Sequence, residues 1–107
     1  MASECKVFGQ SAPSAAVATD LFTVGASKSC TVNFQACNRG SVTDKARIAI
    51  VKSGDTLDTK HYLVYDAEIA AGSMLNLTGF CMGAGDKVSV RSESGYLSFT
   101  ATGLEVS

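Results

Sequence analysis

There is no tryptophan in this sequence, and only one proline and one histidine among its 107 residues. The lone histidine, His61, is the one base available to a Ser–His or Cys–His nucleophile pair. It opens an apolar run continuing through Tyr62, Leu63, Val64 and Tyr65, where it reads as a structural side chain. Tyr62, Tyr65 and Tyr96 could stack on a sugar ring, but the absence of tryptophan argues against that use. Charge is sparse too. Charged residues make up 18% with a net charge of −1, against about 25% in an ordinary soluble domain. The nine basic residues are scattered, so no cluster of Lys and Arg is offered to nucleic acid. No stretch approaches the ~18 uninterrupted apolar residues of a membrane-spanning helix. The first ten residues carry an early acid, Glu4, and no apolar run of a secretory signal. The protein is therefore expected to be made in a reducing cytoplasm.

The four cysteines lack the close Cys-x-x-Cys spacing that brings two thiolates to one zinc ion. Cys30 and Cys37 lie on one predicted strand, where seven steps of about 3.3 Å separate them by roughly 23 Å and face them oppositely. They cannot pair, since a disulfide needs Cα atoms within about 7 Å. Cys5 with Cys81 stays geometrically open. A reducing compartment favours four free thiols, buried or half-buried and packing as small apolar groups. Gly83-Ala-Gly85 lacks the third glycine and following helix of a dinucleotide fingerprint and reads as a hairpin turn. Asp66 and Glu68 would face one side of a strand, most simply a solvated strand end. Neither a cofactor nor a metal is expected, and the chain reads as non-enzymatic.

What the sequence does contain is period-two alternation. Cys30, Val32, Phe34 and Ala36 share one face, with Thr31, Asn33 and Gln35 on the other. Val88 and Val90, and then Leu97, Phe99 and Ala101, repeat the pattern. Such alternation marks half-buried antiparallel strands. Turn signals at Gly25, Asn38-Arg-Gly, Ser53-Gly-Asp, Ala71-Gly-Ser, Gly83-Ala-Gly-Asp and Ser94-Gly separate them. The resulting strands are 4–10, 15–24, 28–37, 45–53, 59–69, 73–82, 86–92 and 95–106. About eight strands at near-regular spacing predict an all-β antiparallel sandwich. The length suits one such domain over 15–107, with residues 1–14 as an N-terminal strand or arm carrying Val7 and Phe8 ahead of Pro13.

Two strands look apolar on both faces. In 60–66, Tyr62 and Val64 would oppose Leu63 and Tyr65; in 47–51, Ile48 and Ile50 would oppose Ala49 and Val51. A sandwich covers one face of each sheet, so a second apolar face suggests a subunit interface. Val7, Phe8, Tyr62 and Tyr65 are the interface candidates.

The series Leu21-Phe-Thr-Val-Gly, Cys37-Asn-Arg-Gly-Ser-Val-Thr, Arg47-Ile-Ala-Ile-Val, Lys60-His-Tyr-Leu-Val-Tyr-Asp, Gly83-Ala-Gly-Asp-Lys-Val-Ser-Val and Leu97-Ser-Phe-Thr-Ala-Thr-Gly-Leu-Glu resembles small virion structural proteins of tailed bacteriophages. The likeness spans about residues 18–106 and rests on strand-and-turn patterns. It implies a jelly-roll-like sandwich in the virion, homo-oligomeric, decorating or cementing the major capsid protein lattice, or attached to tail or collar proteins. From a different class, a carbohydrate-binding sandwich module using the tyrosines is the alternative.

Overall fold

The computed structural model describes residues 3–107. Eight strands run through them: β1 (Ser3–Ser11), β2 (Thr19–Thr23), β3 (Ser29–Asn38), β4 (Asp44–Val51), β5 (Tyr62–Ile69), β6 (Met74–Met82), β7 (Lys87–Ser92) and β8 (Leu97–Val106). They form two four-stranded sheets, ordered β1-β8-β3-β6 and β2-β7-β4-β5, antiparallel throughout. The pairing is nested: β1 with β8, β2 with β7, β3 with β6 and β4 with β5. Curling such a ladder over itself adds the β3–β8 and β4–β7 contacts. The result is the eight-stranded jelly roll, a β-sandwich built of two Greek keys.

The alternation on β3 and β8 decides what lies between the sheets. Val32, Phe34 and Ala36 meet Leu97, Phe99 and Ala101 from the same sheet, and Ile48, Val88 and Val90 from the other, all essentially inaccessible. β-branched and aromatic side chains suit these positions because they fill a pleated, half-buried surface.

Nesting also corrects the reading of Gly83–Asp86 as a hairpin. The turn is tight: the Asp86 N–H donates to the Gly83 carbonyl at 3.1 Å, and Gly85 takes a positive φ of 81°. Yet it carries the chain from β6 in one sheet to β7 in the other. Only β4 and β5 are sequence neighbours that pair, and the long connection 52–61 joins them.

Two strand starts also differ from expectation. Residues 15–18 are not part of β2: Ala16 has φ 59°, which breaks extended chain, and its N–H instead bonds the Ser92 carbonyl at 2.8 Å. Residues Thr59–His61 form a 3₁₀ turn. Asp58 caps it, its carboxylate accepting from the Thr59 N–H at 2.7 Å while His61 Nδ1 accepts from the Asp58 N–H at 2.9 Å. Such reciprocal bonds satisfy donors that an extended chain would leave to solvent.

β5 departs from strict alternation. Its pairing with β4 slips twice, so that Val64 faces Ile48 while Tyr62 faces Ala49. Tyr62 and Val64 therefore point to opposite faces, against the period-two expectation. Within the first slip, between Ala67 and Val64, Asp66 adopts φ 57°, a left-handed conformation that aspartate tolerates better than most residues. Tyr62 and Tyr65 end on the outer face, with ring centroids 4.9 Å apart.

Candidate interaction surface

The two outer faces of the sandwich differ sharply in chemistry. On the β1-β8-β3-β6 sheet, the register lays Cys5, Leu104, Thr31 and Cys81 side by side across the four strands. The next row is Val7, Thr102 and Asn33; below it lie Gln10, Thr100, Gln35 and Asn76. Ser98, Cys37 and Met74 complete the face. Among the described residues, no outward-pointing side chain in these register rows carries a charge. Val7, Met74 and Leu104 stand exposed there. Cys5, Lys6, Val7, Asn33, Thr102 and Leu104 line part of a shallow depression of about 670 Å³ on this face.

The outer face of the other sheet carries the charge. Lys45, Arg47, Arg91 and Lys87 project from β4 and β7, with Asp20 and Glu68 opposite Ser89 and Lys45. Arg47 donates to Asp66 at 2.7 Å and lies 4.0 Å from the centre of the Tyr65 ring. The hydrogen bond to Asp66 raises the Arg47 pKa and, in turn, holds the Asp66 carboxyl below its ordinary value. Asp66 is thus engaged by a cation and does not form a carboxylate pair with Glu68.

The structure separates the sequence-derived interface candidates. Val7 lies on the uncharged face, 54% exposed. Phe8 occupies the extra position of a β1 bulge, packs against the core and stacks on Phe22 at 5.1 Å. Tyr62 and Tyr65 sit on edge strand β5 of the other sheet, where they and Thr59 line a cavity of about 380 Å³. The second apolar face of β4 is covered within the chain. Ala49 and Val51 point outward in register yet are buried, and the 3₁₀ turn ending at His61 packs against β4.

All four thiols are free, but the packing expectation holds only for Cys30. Burial pushes the Cys30 thiol up, with the Glu105 and Cys81 charges acting in the same direction. Cys5, Cys37 and Cys81 are exposed instead. Alternation places Cys37 opposite Cys30 in facing, and Cys5 and Cys81 share the outer side with it. A Cys5–Cys81 bridge is ruled out within one chain. The two lie on opposite edges of the sheet, three strand spacings or about 14 Å apart, beyond the ~7 Å limit of a disulfide.

The buried histidine and the buried carboxylates are engaged structurally. His61 is 8% exposed, and its Nε2 stands 3.2 Å from Asp55 Oδ2 while Nδ1 accepts from the Asp58 N–H. The bond from His61 lowers the Asp55 pKa against the opposing effect of desolvation. Asp44 is 2% exposed and accepts four hydrogen bonds: from the Lys45 and Ser94 N–H groups, the Tyr96 N–H and the Ser92 hydroxyl, at 2.7–3.0 Å. Burial alone would raise its pKa, but these bonds prevail and hold it below the usual carboxylate value. Glu105, facing inward at the end of β8, accepts from Lys6 and Lys28 at 3.3 and 3.4 Å. Burial opposes its ionisation, and the two lysines overcome that and lower its pKa. Each of these carboxylates is engaged by hydrogen-bond donors within the chain.

Sequence reasoning missed the uncharged face as a unit. Its signal was present in the polar members of each alternating strand, which are Thr, Asn, Gln, Ser and Cys with no Lys, Arg, Asp or Glu. The chain matches no known family model, and no curated protein matches it.

Proposed function

We propose that this protein is a non-enzymatic structural component of a tailed-phage virion, decorating or cementing the major capsid lattice through protein–protein contacts. The observation that carries this reading is the uncharged outer face of the β1-β8-β3-β6 sheet. A solvated sheet face normally carries interspersed Lys, Glu, Arg and Asp for solubility. A face of Thr, Asn, Gln, Cys, Leu and Val instead suits burial against protein, because the core of an interface is depleted in charge. The strand-and-turn resemblance to small virion proteins agrees with this use of the surface. Jelly rolls serve shells and lectins alike, so the surface and not the fold supports the choice.

The test uses particles that lack the protein and the purified protein added back. Saturable binding to the shell, at a copy number scaling with the capsid subunits, together with greater resistance to heat or chelation, is the expected result. Binding confined to the tail end, at one ring's worth of copies, would move the protein to the tail or collar. Failure to bind any particle component would overturn the virion reading.

One observation favours a second reading, a carbohydrate-binding module. Tyr62 and Tyr65 line a cavity with Thr59, and Arg47 lies over the Tyr65 ring. Glycan-array binding that is abolished by Tyr65→Ala would support it.

A further inference from the structure

We propose that two copies of this chain pack back to back through the outer faces of their β1-β8-β3-β6 sheets, related by a two-fold axis. The inference deepens the reading above and rests on it only in taking this face as a protein-binding surface; the second copy fills it, so contacts with the shell fall to the charged outer face of the β2-β7-β4-β5 sheet. Three features single out a second copy as the occupant.

The first is charge. A two-fold interface sets each residue against the same surface of its mate, so any charge on the face meets a like charge or demands an exact partner. This face carries none in its register rows, and Lys6, the charged residue lining its depression, is paired with Glu105 at 3.3 Å, so the face can meet itself without repulsion. A surface selected for a foreign partner gains specificity and association rate from charge complementarity, and that is absent here. The opposite face, with Arg47, Arg91, Lys45 and Lys87 among its outward residues, has that character.

The second is area. Four strands spaced about 4.8 Å apart, each roughly 30 Å long, give a face of about 550 Å² per copy. Two copies bury about 1,100 Å² or more, just above the roughly 1,000 Å² expected of a specific interface. The face is therefore large enough for a dimer when used whole.

The third is relief. Leu104 and Val7 project beside the shallow depression bounded by Thr31, Asn33 and Thr102, so raised apolar side chains and a hollow lie on the same surface. That combination lets one surface be its own complement. An axis running along the strands between β8 and β3 sets β1 of one copy against β6 of the other. Cys5 then faces Cys81 of the second copy, across sheets about 10 Å apart.

Sedimentation equilibrium of the full chain, under reducing conditions, tests the proposal. A dimer is expected, with no dependence on disulfide formation. Thr102→Lys places two like charges near the axis and is expected to weaken dimerisation at least a hundredfold. Glu68→Lys, on the other sheet, should leave it unchanged. Circular dichroism and thermal melting report whether each variant is folded, and Leu104→Lys provides a second variant should Thr102→Lys fail to fold. A short bismaleimide should join Cys5 to Cys81 between copies, and Cys81→Ser should remove that cross-link. A monomeric wild type, or folded Thr102→Lys and Leu104→Lys proteins that remain dimeric, would overturn the proposal. A monomer that still binds capsids would refute the dimer alone, whereas a dimer that binds no virion component would refute the virion reading alone.

Discussion

Replacing Asp44 with alanine should remove more stability than any other single change to a polar side chain in this molecule. Asp44 begins β4, and the β7–β8 connection is wrapped around its carboxylate. The Ser94 and Tyr96 N–H groups point at it, and the Ser92 hydroxyl donates to it while accepting from the Gly95 N–H. With the Lys45 N–H, four donors converge on a side chain that is 2% exposed. At about 1 kcal/mol net for each bond, the loss comes to about 3–4 kcal/mol. That is a large part of the roughly 5–15 kcal/mol by which domains are stable. Asp44→Asn keeps one acceptor oxygen but turns an amide donor toward two other donors, so it should lose about 2–3 kcal/mol. Urea unfolding measures both losses. The pH dependence adds a signature that packing alone would not produce. The folded-state pKa of Asp44 lies below its unfolded value, so its contribution is complete above about pH 4. It disappears as pH falls through the lowered folded pKa, because the unfolded chain then takes up the proton more readily. The gap between wild type and Asp44→Asn should therefore close in acid. A loss below about 1 kcal/mol for Asp44→Ala, or a gap that persists unchanged through the acid range, would refute the argument.

Three further outcomes are expected. In the folded Thr102→Lys protein, where the outer sheet face is left uncovered, a thiol reagent should modify Cys5, Cys37 and Cys81 freely and Cys30 only on unfolding, since Cys30 alone is buried within the chain; prompt reaction of all four would contradict the register of β3. Gly103→Ala should cost at least about 3 kcal/mol or abolish folding, because its new Cβ would collide with the Thr31 carbonyl oxygen while β8 is held by strands on both sides. A normal melting temperature would show that the two backbones can part. His61→Ala should lower stability by about 1–2 kcal/mol and hasten proteolysis within 52–61, since it breaks the bonds to Asp58 and Asp55 that fix that connection; an unchanged cleavage rate would place the loop's stability elsewhere.

The strands themselves were legible because alternation is a local property. Cys30 to Ala36 could be read as one inward row without knowing what lay opposite. The partners of each strand were not legible. Turn chemistry at Gly83–Asp86 looks the same whether the chain folds back beside itself or crosses to a second sheet, and the choice depends on which distant faces need cover. The bulges of β5 were hidden for a related reason. Five consecutive residues, His61 to Tyr65, are apolar or aromatic, so a slip of one position leaves no contrast to detect. The exposure of Cys37 and Cys81 did follow from alternation. It was masked by the expectation that cysteine is buried. On the uncharged face, each strand's polar positions were visible singly, and only the register joined them into a surface.

The nested pairing also bears on when this molecule can fold. Ser3 lies opposite Val106, and β8 sits between β1 and β3 inside its sheet, so residues 97–106 fill a central place and not a rim. A nascent chain with β1 to β7 already emerged holds two strands, β1 and β3, separated by a gap that only β8 can close. The complete β1-β8-β3-β6 sheet must wait until residues 97–106 have left the ribosome, and contacts of such long sequence separation form slowly. During that interval the strand edges bordering the gap are open to other chains, so closure by β8 and misassembly compete for the same unpaired backbone.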